Sequence, residues 1–152
     1  MKVSEILQVK GSILYTISPD QPLAEAADIM AEKDIGSLVV MEFGDLVGML
    51  TFREVLRALH TNDGTVGAGT VRKHMDDYPI TVTPDTEVNE VRRIMLEKHA
   101  RYLPVMNAKT ILGVISFYDV ARAVLEAQSF ENRMLKAYIR DWPGDQDAPH
   151  PD

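Results

Sequence analysis

The feature that most constrains the fold of this chain is an internal repeat. Pro19-Asp20 is matched by Pro84-Asp85, Ile29-Met30 by Ile94-Met95, and Glu32-Lys33 by Glu97-Lys98. Further on, Val40-Met41 is matched by Val105-Met106, Gly48 by Gly113, and Arg57-Ala58 by Arg122-Ala123. Every partner stands 65 positions on (19 and 84, 57 and 122), so the copies align without a gap from Ile17 to Leu59. Upstream, Val3-Ser4-Glu5-Ile6-Leu7 is similar to Val71-Arg72-Lys73-His74-Met75 at a spacing of 68 (3 and 71), which gives the first copy about three extra residues in a Gln8–Ser12 loop.

Each copy carries the same punctuation. Ile13 to Ile17 is a short apolar run of strand formers, and Ser18-Pro19-Asp20-Gln21-Pro22 breaks it and opens a helix, with Pro22 near the first turn. Leu23, Ala26, Ala27 and Met30 recur at helical spacing. Ser37–Met41 and Leu46–Leu50 read as strands around the turn Glu42-Phe43-Gly44-Asp45, and Thr51 opens a second helix to about His60. The order is β-α-β-β-α. Thr61 to Gly69, rich in Gly and small polar residues, is a flexible connection. The second copy predicts a strand near Ile80–Val82, a helix over Thr86–Lys98, strands at Tyr102–Met106 and Ile111–Ile115 around Asn107-Ala108-Lys109-Thr110, and a helix from Phe117. A unit of about 55 residues buries little apolar surface alone, so the two copies are expected to pack as a pseudo-symmetric pair of three-stranded sheets. Clefts would then fall where strand ends and helix starts converge.

The chemistry lies at those convergences. Gly113-Val114-Ile115-Ser116-Phe117-Tyr118-Asp119 and its counterpart Gly48-Met49-Leu50-Thr51-Phe52-Arg53-Glu54 each end a strand with a hydroxyl and place a carboxylate three residues later. A helix start offers free N–H groups and partial positive charge to a phosphate, and a nearby carboxylate can accept both hydroxyls of a ribose. The same spacing also describes a capping box, in which hydroxyl and acid satisfy the helix end and bind nothing. The local pattern leaves both readings open.

Composition narrows the function. The net charge is −7, with basic residues scattered, which argues against nucleic-acid binding but not against a small anion in a locally positive pocket. There are no cysteines, so disulfides and thiolate chemistry are excluded. The N-terminus lacks a signal-peptide profile and no apolar run approaches membrane-spanning length, so a cytoplasmic chain is expected. His60, His74, His99 and His150 show no metal-ligand spacing; His99 follows Lys98 at a helix end, where a cation suits the helix dipole. No nucleophilic elbow, Walker loop or dinucleotide fingerprint is present, and the expectation is no enzyme, no catalytic residue and no metal. The methionines Met30, Met41, Met49, Met95 and Met106 fall on core-facing positions.

Beyond Val124 the helical pattern continues through Phe130, Met134, Leu135, Tyr138 and Ile139, interleaved with Glu131, Arg133, Lys136 and Arg140, until Pro143-Gly144. This stripe either packs on its own domain or forms a self-association surface, and the second is preferred here. Trp142 at its end is uninformative, and the short acidic tail reads as disordered.

With the repeat order and the paired Gly-apolar-apolar-Thr/Ser-x-x-acid junctions in view, the chain resembles a tandem pair of CBS domains, the modules named after cystathionine β-synthase. The likeness runs from Val3 to about Leu125. Thr81-Val82-Thr83-Pro84-Asp85-Thr86, Glu97 to Val105, and Ile35-Gly36-Ser37-Leu38-Val39-Val40 add to it. The resemblance implies an α+β fold with 1–60 as the first repeat, 61–70 as linker, 71–125 as the second repeat, 126–142 as a helical extension and 143–152 as tail. It implies a regulatory module that binds adenosine-containing ligands (AMP, ADP, ATP, NAD(H) or S-adenosylmethionine) in one or both clefts, forms a homodimer and signals to an effector protein. By the same resemblance, Ser116 would bond a phosphate and Asp119 a ribose diol in the second site, with Ile80 and Thr81 at the adenine edge and Arg101 and Tyr102 near phosphate or base. The first site would comprise Tyr15, Thr16, Ser37, Thr51, Arg53 and Glu54. Glu54 is longer than the usual Asp and Thr51-x-x-Glu54 is the better capping box, so the sites are expected to be unequal, with the second the more typical adenosine site. The competing expectation is a ligand-free interaction scaffold in which both pairs are only caps.

Overall fold

The computed structural model describes residues 1–11 and 13–140. Eleven elements follow in order: α1 (Val3–Lys10), β1 (Thr16–Ile17), α2 (Leu23–Lys33), β2 (Ser37–Glu42), β3 (Asp45–Thr51), α3 (Phe52–Thr61), α4 (Val71–His74), α5 (Val88–Lys98), β4 (Tyr102–Asn107), β5 (Thr110–Ser116) and α6 (Phe117–Arg140). The α+β repeat is present twice. In both copies an antiparallel strand pair shifts register at the same place, between Val40 and Met41 and between Val105 and Met106. Helices α2 and α5 end alike, on left-handed residues Asp34 and His99.

The two sheets are not equal, against expectation. In the first, β1 joins β2 in parallel and the order is β1-β2-β3; in the second only β4 and β5 are strands, and Val82 makes a single parallel bridge to Val105. Proline explains the difference. Val39 N–H donates to the Tyr15 carbonyl at 2.9 Å, and the residue 65 positions on from Val39 is Pro104, which has no N–H to give. Only the bonds on either side survive, Val82 N–H to the Pro104 carbonyl at 3.0 Å and Met106 N–H to the Val82 carbonyl at 2.8 Å. The first strand is also shorter than the run Ile13–Ile17, and α5 starts at Val88 rather than Thr86.

Two apolar cores lie side by side, and each borrows its first helix from the other copy. Val3 and Ile6 of α1 are buried among Val82, Val88, Val91, Met95, Leu103, Val105, Ile115 and Val120, all of the second copy. Val71 of α4 is buried with Ile17, Leu23, Met30, Leu38, Val40 and Leu50 of the first. The backbone repeats this exchange bond for bond. Val71 N–H donates to the Gln21 carbonyl and Leu23 N–H to that of Gly69, both at 2.9 Å; Val3 N–H donates to Thr86 at 3.0 Å and Val88 N–H to Met1 at 2.9 Å. Arg72 adds an ionic clamp from α4 to Asp20 and Glu42.

The matched glycines Gly48 and Gly113 are where the borrowed segments cross the strands. A methyl group on Gly48 would lie 2.8 Å from both the Asp76 carbonyl oxygen and the Met75 sulfur, just past α4. On Gly113 it would meet the end of the Leu7 side chain of α1 at 3.0 Å. Next to Gly48, Met49 and Asp76 exchange two backbone hydrogen bonds, each 2.9 Å. The loop expected at Gln8–Ser12 is largely helix: α1 runs to Lys10, a turn further than α4 has counterpart for.

The repeat and the extension merge into one helix, α6, of 24 residues. Val120 is its buried anchor, while Leu125, Phe130, Met134, Leu135 and Tyr138 are exposed. The expected end of this helix at Pro143-Gly144, Trp142 and the tail lie outside the described residues.

Candidate functional site

Both strand-to-helix junctions form as the sequence suggests. Thr51 sits at the N-cap of α3 in extended conformation, and its hydroxyl accepts from Arg53 N–H at 3.2 Å. The Thr51 N–H and hydroxyl donate to Glu54 Oε1 at 2.9 and 3.0 Å, and Glu54 is the one buried charged residue of the described chain. At the second junction Ser116 N–H donates to Asp119 Oδ2 at 2.8 Å, and Asp119 N–H to Ser116 Oγ at 3.1 Å. Each pair is a complete capping box, so the contrast expected between them does not lie there.

It lies in their surroundings. Lys10 Nζ of α1 donates to Asp119 Oδ2 and to the Val114 carbonyl, both at 2.6 Å. Burial pushes the Asp119 carboxyl up, but the bonds from Lys10 and Ser116 outweigh it and hold its pKa below the ordinary value. No ion pair reaches Glu54 among the described residues.

A cleft of about 680 Å³ opens over the Thr51 junction. Its walls come from both copies: Thr51, Phe52, Arg53, Glu54, Leu56, Arg57 and His60 on one side, Asp76, Pro79 and Ile80 after α4, and Lys98 to Leu103 opposite. Arg53, Arg57, Lys98 and Arg101 bring four positive charges against Glu54 and Asp76, a local excess of cation in a chain of net charge −7. Arg53 Nη2 donates to the His99 carbonyl at 2.7 Å and fastens the walls together. Tyr102 lies across the boundary between the copies. Its hydroxyl occupies the space beside Gly36, where a methyl group would stand 1.8 Å away, and the Phe52 ring closes the same gap. Burial pushes the Tyr102 phenol up, opposed by Arg101 and aided by Asp119. It therefore remains a hydrogen-bond donor at neutral pH.

This geometry regroups the expected residues. Ile80, Arg101 and Tyr102 share the large cleft with Thr51, Arg53 and Glu54, rather than with Ser116 and Asp119. Tyr102 does face Ser116 in the β4–β5 register, and Ser37 faces Thr51 in the β2–β3 register. The cause is the packing of the copies: the large cleft takes its junction from the first copy and its opposite wall, Lys98–Leu103, from the second. Asp119 lines a second, smaller cleft of about 390 Å³ between the N-terminal segment and α6, with Lys10, Arg122 and Phe130. Thr81, Ser116, Tyr15, Thr16 and Ser37 line neither cleft, and Lys33 stands over the Tyr15 ring at 5.6 Å. Sequence reasoning missed Lys10, Arg57 and Lys98 as site residues. The Arg57–Arg122 and Lys33–Lys98 matches in the repeat, and the three-residue excess before Gly11, were the available signals. Among the described residues no group of three or more His, Cys, Asp or Glu is arranged to hold a metal ion, and no helix is long and apolar enough to cross a membrane.

Two repeats that exchange helices and frame clefts at paired hydroxyl–acid junctions define a tandem module of one family. The CBS-domain model matches residues 4–61 and 69–126, and the chain belongs to that family. It is 35% identical over 132 residues to an uncharacterised 17.7 kDa protein of Acidianus ambivalens, covering 86% of this chain and 77% of that one. It is 31% identical over 120 residues to the CBS domain-containing protein YhcV of Bacillus subtilis, covering 78% and 84%. Among solved structures, the CBS-domain protein ATU1752 from Agrobacterium tumefaciens superposes with a TM-score of 0.76 at 26% identity, over 81% of this chain and 98% of that one. The CBS domain pair of protein MJ0100, solved in complex with 5′-methylthioadenosine and S-adenosyl-L-methionine, superposes with a TM-score of 0.72 at 25% identity, over 82% and 99%.

Proposed function

We propose that this chain is a regulatory module that binds a phosphate-bearing adenosine nucleotide in the large cleft and passes its occupancy to a partner protein. The observation that carries this reading is the convergence, in one cleft of about 680 Å³, of the α3 N-terminus with Arg53, Arg57, Lys98 and Arg101. The apolar lining residues Met49, Leu56 and Ile80 suit a base, and Glu54 suits a ribose. The adenosine ligands of the MJ0100 domain pair support the nucleoside part. The excess of cations favours AMP, ADP, ATP or NAD(H) over S-adenosylmethionine, whose sulfonium would meet like charge. Regulation then requires only that the ligand bind one conformation better than another.

A second copy of the chain belongs to the same reading, since Phe130, Met134, Leu135 and Tyr138 of α6 stand exposed on one long helix. The scaffold reading is favoured by a different observation: both hydroxyl–acid pairs already satisfy their own helix ends. A thermal-shift panel with AMP, ADP, ATP, NAD⁺, NADH and S-adenosylmethionine separates the two. The expected result is stabilisation by the phosphate-bearing ligands, by about 2.7 kcal/mol at a hundred times the dissociation constant, with the affinity falling about tenfold or more in Arg101→Ala. No shift with any of them, after refolding to strip carried-over nucleotide, would leave the scaffold.

A further inference from the structure

We propose that Lys10 is a built-in occupant of the second junction, holding the Asp119 carboxylate so that a nucleotide binds there only by displacing the last turn of α1. This inference rests on the reading that these junctions receive ribose and phosphate.

The geometry is that of a latch. The ammonium makes two bonds of 2.6 Å, one to Asp119 Oδ2 and one to the Val114 carbonyl on the strand that leads into the junction. The Asp119 side chain is 16% exposed and so is partly sheltered from the screening that weakens surface ion pairs, while Lys10, at 35%, keeps one side in water. Asp119 Oδ2 also accepts from Ser116 N–H, so the oxygen that faces the junction is already shared between a cation and the helix cap. A ribose hydroxyl arriving there competes with a charge-assisted bond.

The latch exists at one junction only. It depends on the extra turn of α1, for α4 stops at His74, and among the described residues no ion pair reaches Glu54. The open junction therefore faces the roomy, cation-lined cleft, and the latched one faces the small groove under α1. The mechanical connection is direct. Lys10 rides on the helix whose Val3 and Ile6 are buried in the second core, and Gly11, at φ 91°, ends that helix immediately after it. Releasing Lys10 frees the last turn of α1 while its first turn stays anchored, so occupancy of the second junction is converted into a movement at the surface between α1 and α6.

Isothermal titration calorimetry with AMP tests this on the full chain. The wild type is expected to bind one AMP, about tenfold or more weakly in Arg101→Ala. Lys10→Met is expected to bind two, with the second abolished by adding Asp119→Asn. Lys10→Arg, which keeps the cation, should return to one. Circular-dichroism melts of each variant confirm that it is folded at the titration temperature. One AMP in both wild type and Lys10→Met, or two in both, would overturn the latch alone. No AMP in either would overturn the latch together with the nucleotide reading beneath it.

Discussion

Glycine and proline at repeated positions decide how far the two copies can be alike. Gly48 and Gly113 occupy the same place in the repeat, yet a side chain would be tolerated differently at each. At Gly48 the obstacle is backbone, the carbonyl oxygen of Asp76 at 2.8 Å, which accepts from Met49 N–H while Asp76 N–H donates back to Met49; at Gly113 it is the end of the Leu7 side chain at 3.0 Å. Gly48→Ala should therefore cost about 1–3 kcal/mol in urea unfolding, the usual penalty of overpacking, and Gly113→Ala clearly less. Equal losses would mean that the α4 crossing is softer than its hydrogen bonds indicate. The glycine match was plain in the sequence, whereas its cause was not, because the residues that press on each glycine are distant in the chain. Pro104 is the converse case. It could have been seen to stand where Val39 stands, and a missing N–H at that position removes the parallel strand expected at Ile80–Val82.

At the level of elements, the order β-α-β-β-α, the two junctions and the long final helix could all be read from periodicity and turn residues. The exchange of α1 and α4 could not. The spacing of 68 between Val3 and Val71 says that two segments are alike, not which core each one fills. This explains why the residues assigned to two sites by chain position distribute differently in space, Ile80, Arg101 and Tyr102 joining Thr51, Arg53 and Glu54. The exchange has a measurable signature. Ile6→Ala, in the first copy by sequence, should destabilise the second core by about 2–5 kcal/mol, as buried Ile-to-Ala changes do. Native-state hydrogen exchange would show it as lost protection in α5, β4 and β5, with β2 and β3 less affected. The opposite distribution would place α1 on the core of its own copy.

For the whole molecule, the Lys10–Asp119 pair links the N-terminal helix to the junction from which α6 starts, and its strength depends on pH in a fixed direction. Asp119 is depressed below its ordinary 3.8 when folded. The pair therefore contributes fully above that value and is lost as pH falls through the lower folded value. Between about pH 6 and pH 3 the urea midpoint of the wild type should fall further than that of Lys10→Met, because much of the depression leaves with the ammonium. Parallel curves for the two proteins would show that Ser116 alone sets the carboxylate. The charge pattern extends the same asymmetry over the molecule. Four cations gather at one cleft of an acidic chain while a lysine pairs with the carboxylate at the other, and neither grouping is visible from residues near one motif, because each is assembled from distant parts of the chain.

The exchange of first helices also bears on why the two copies share one chain. One repeat standing alone would keep its strands and two later helices but would present, in place of a first helix, the bare apolar seat that Val3 and Ile6 or Val71 now fill. Two separate copies would each lend the other what it lacked. A lone repeat of this architecture would close its core only as a pair of chains, and joining the two copies in one chain makes that meeting independent of concentration.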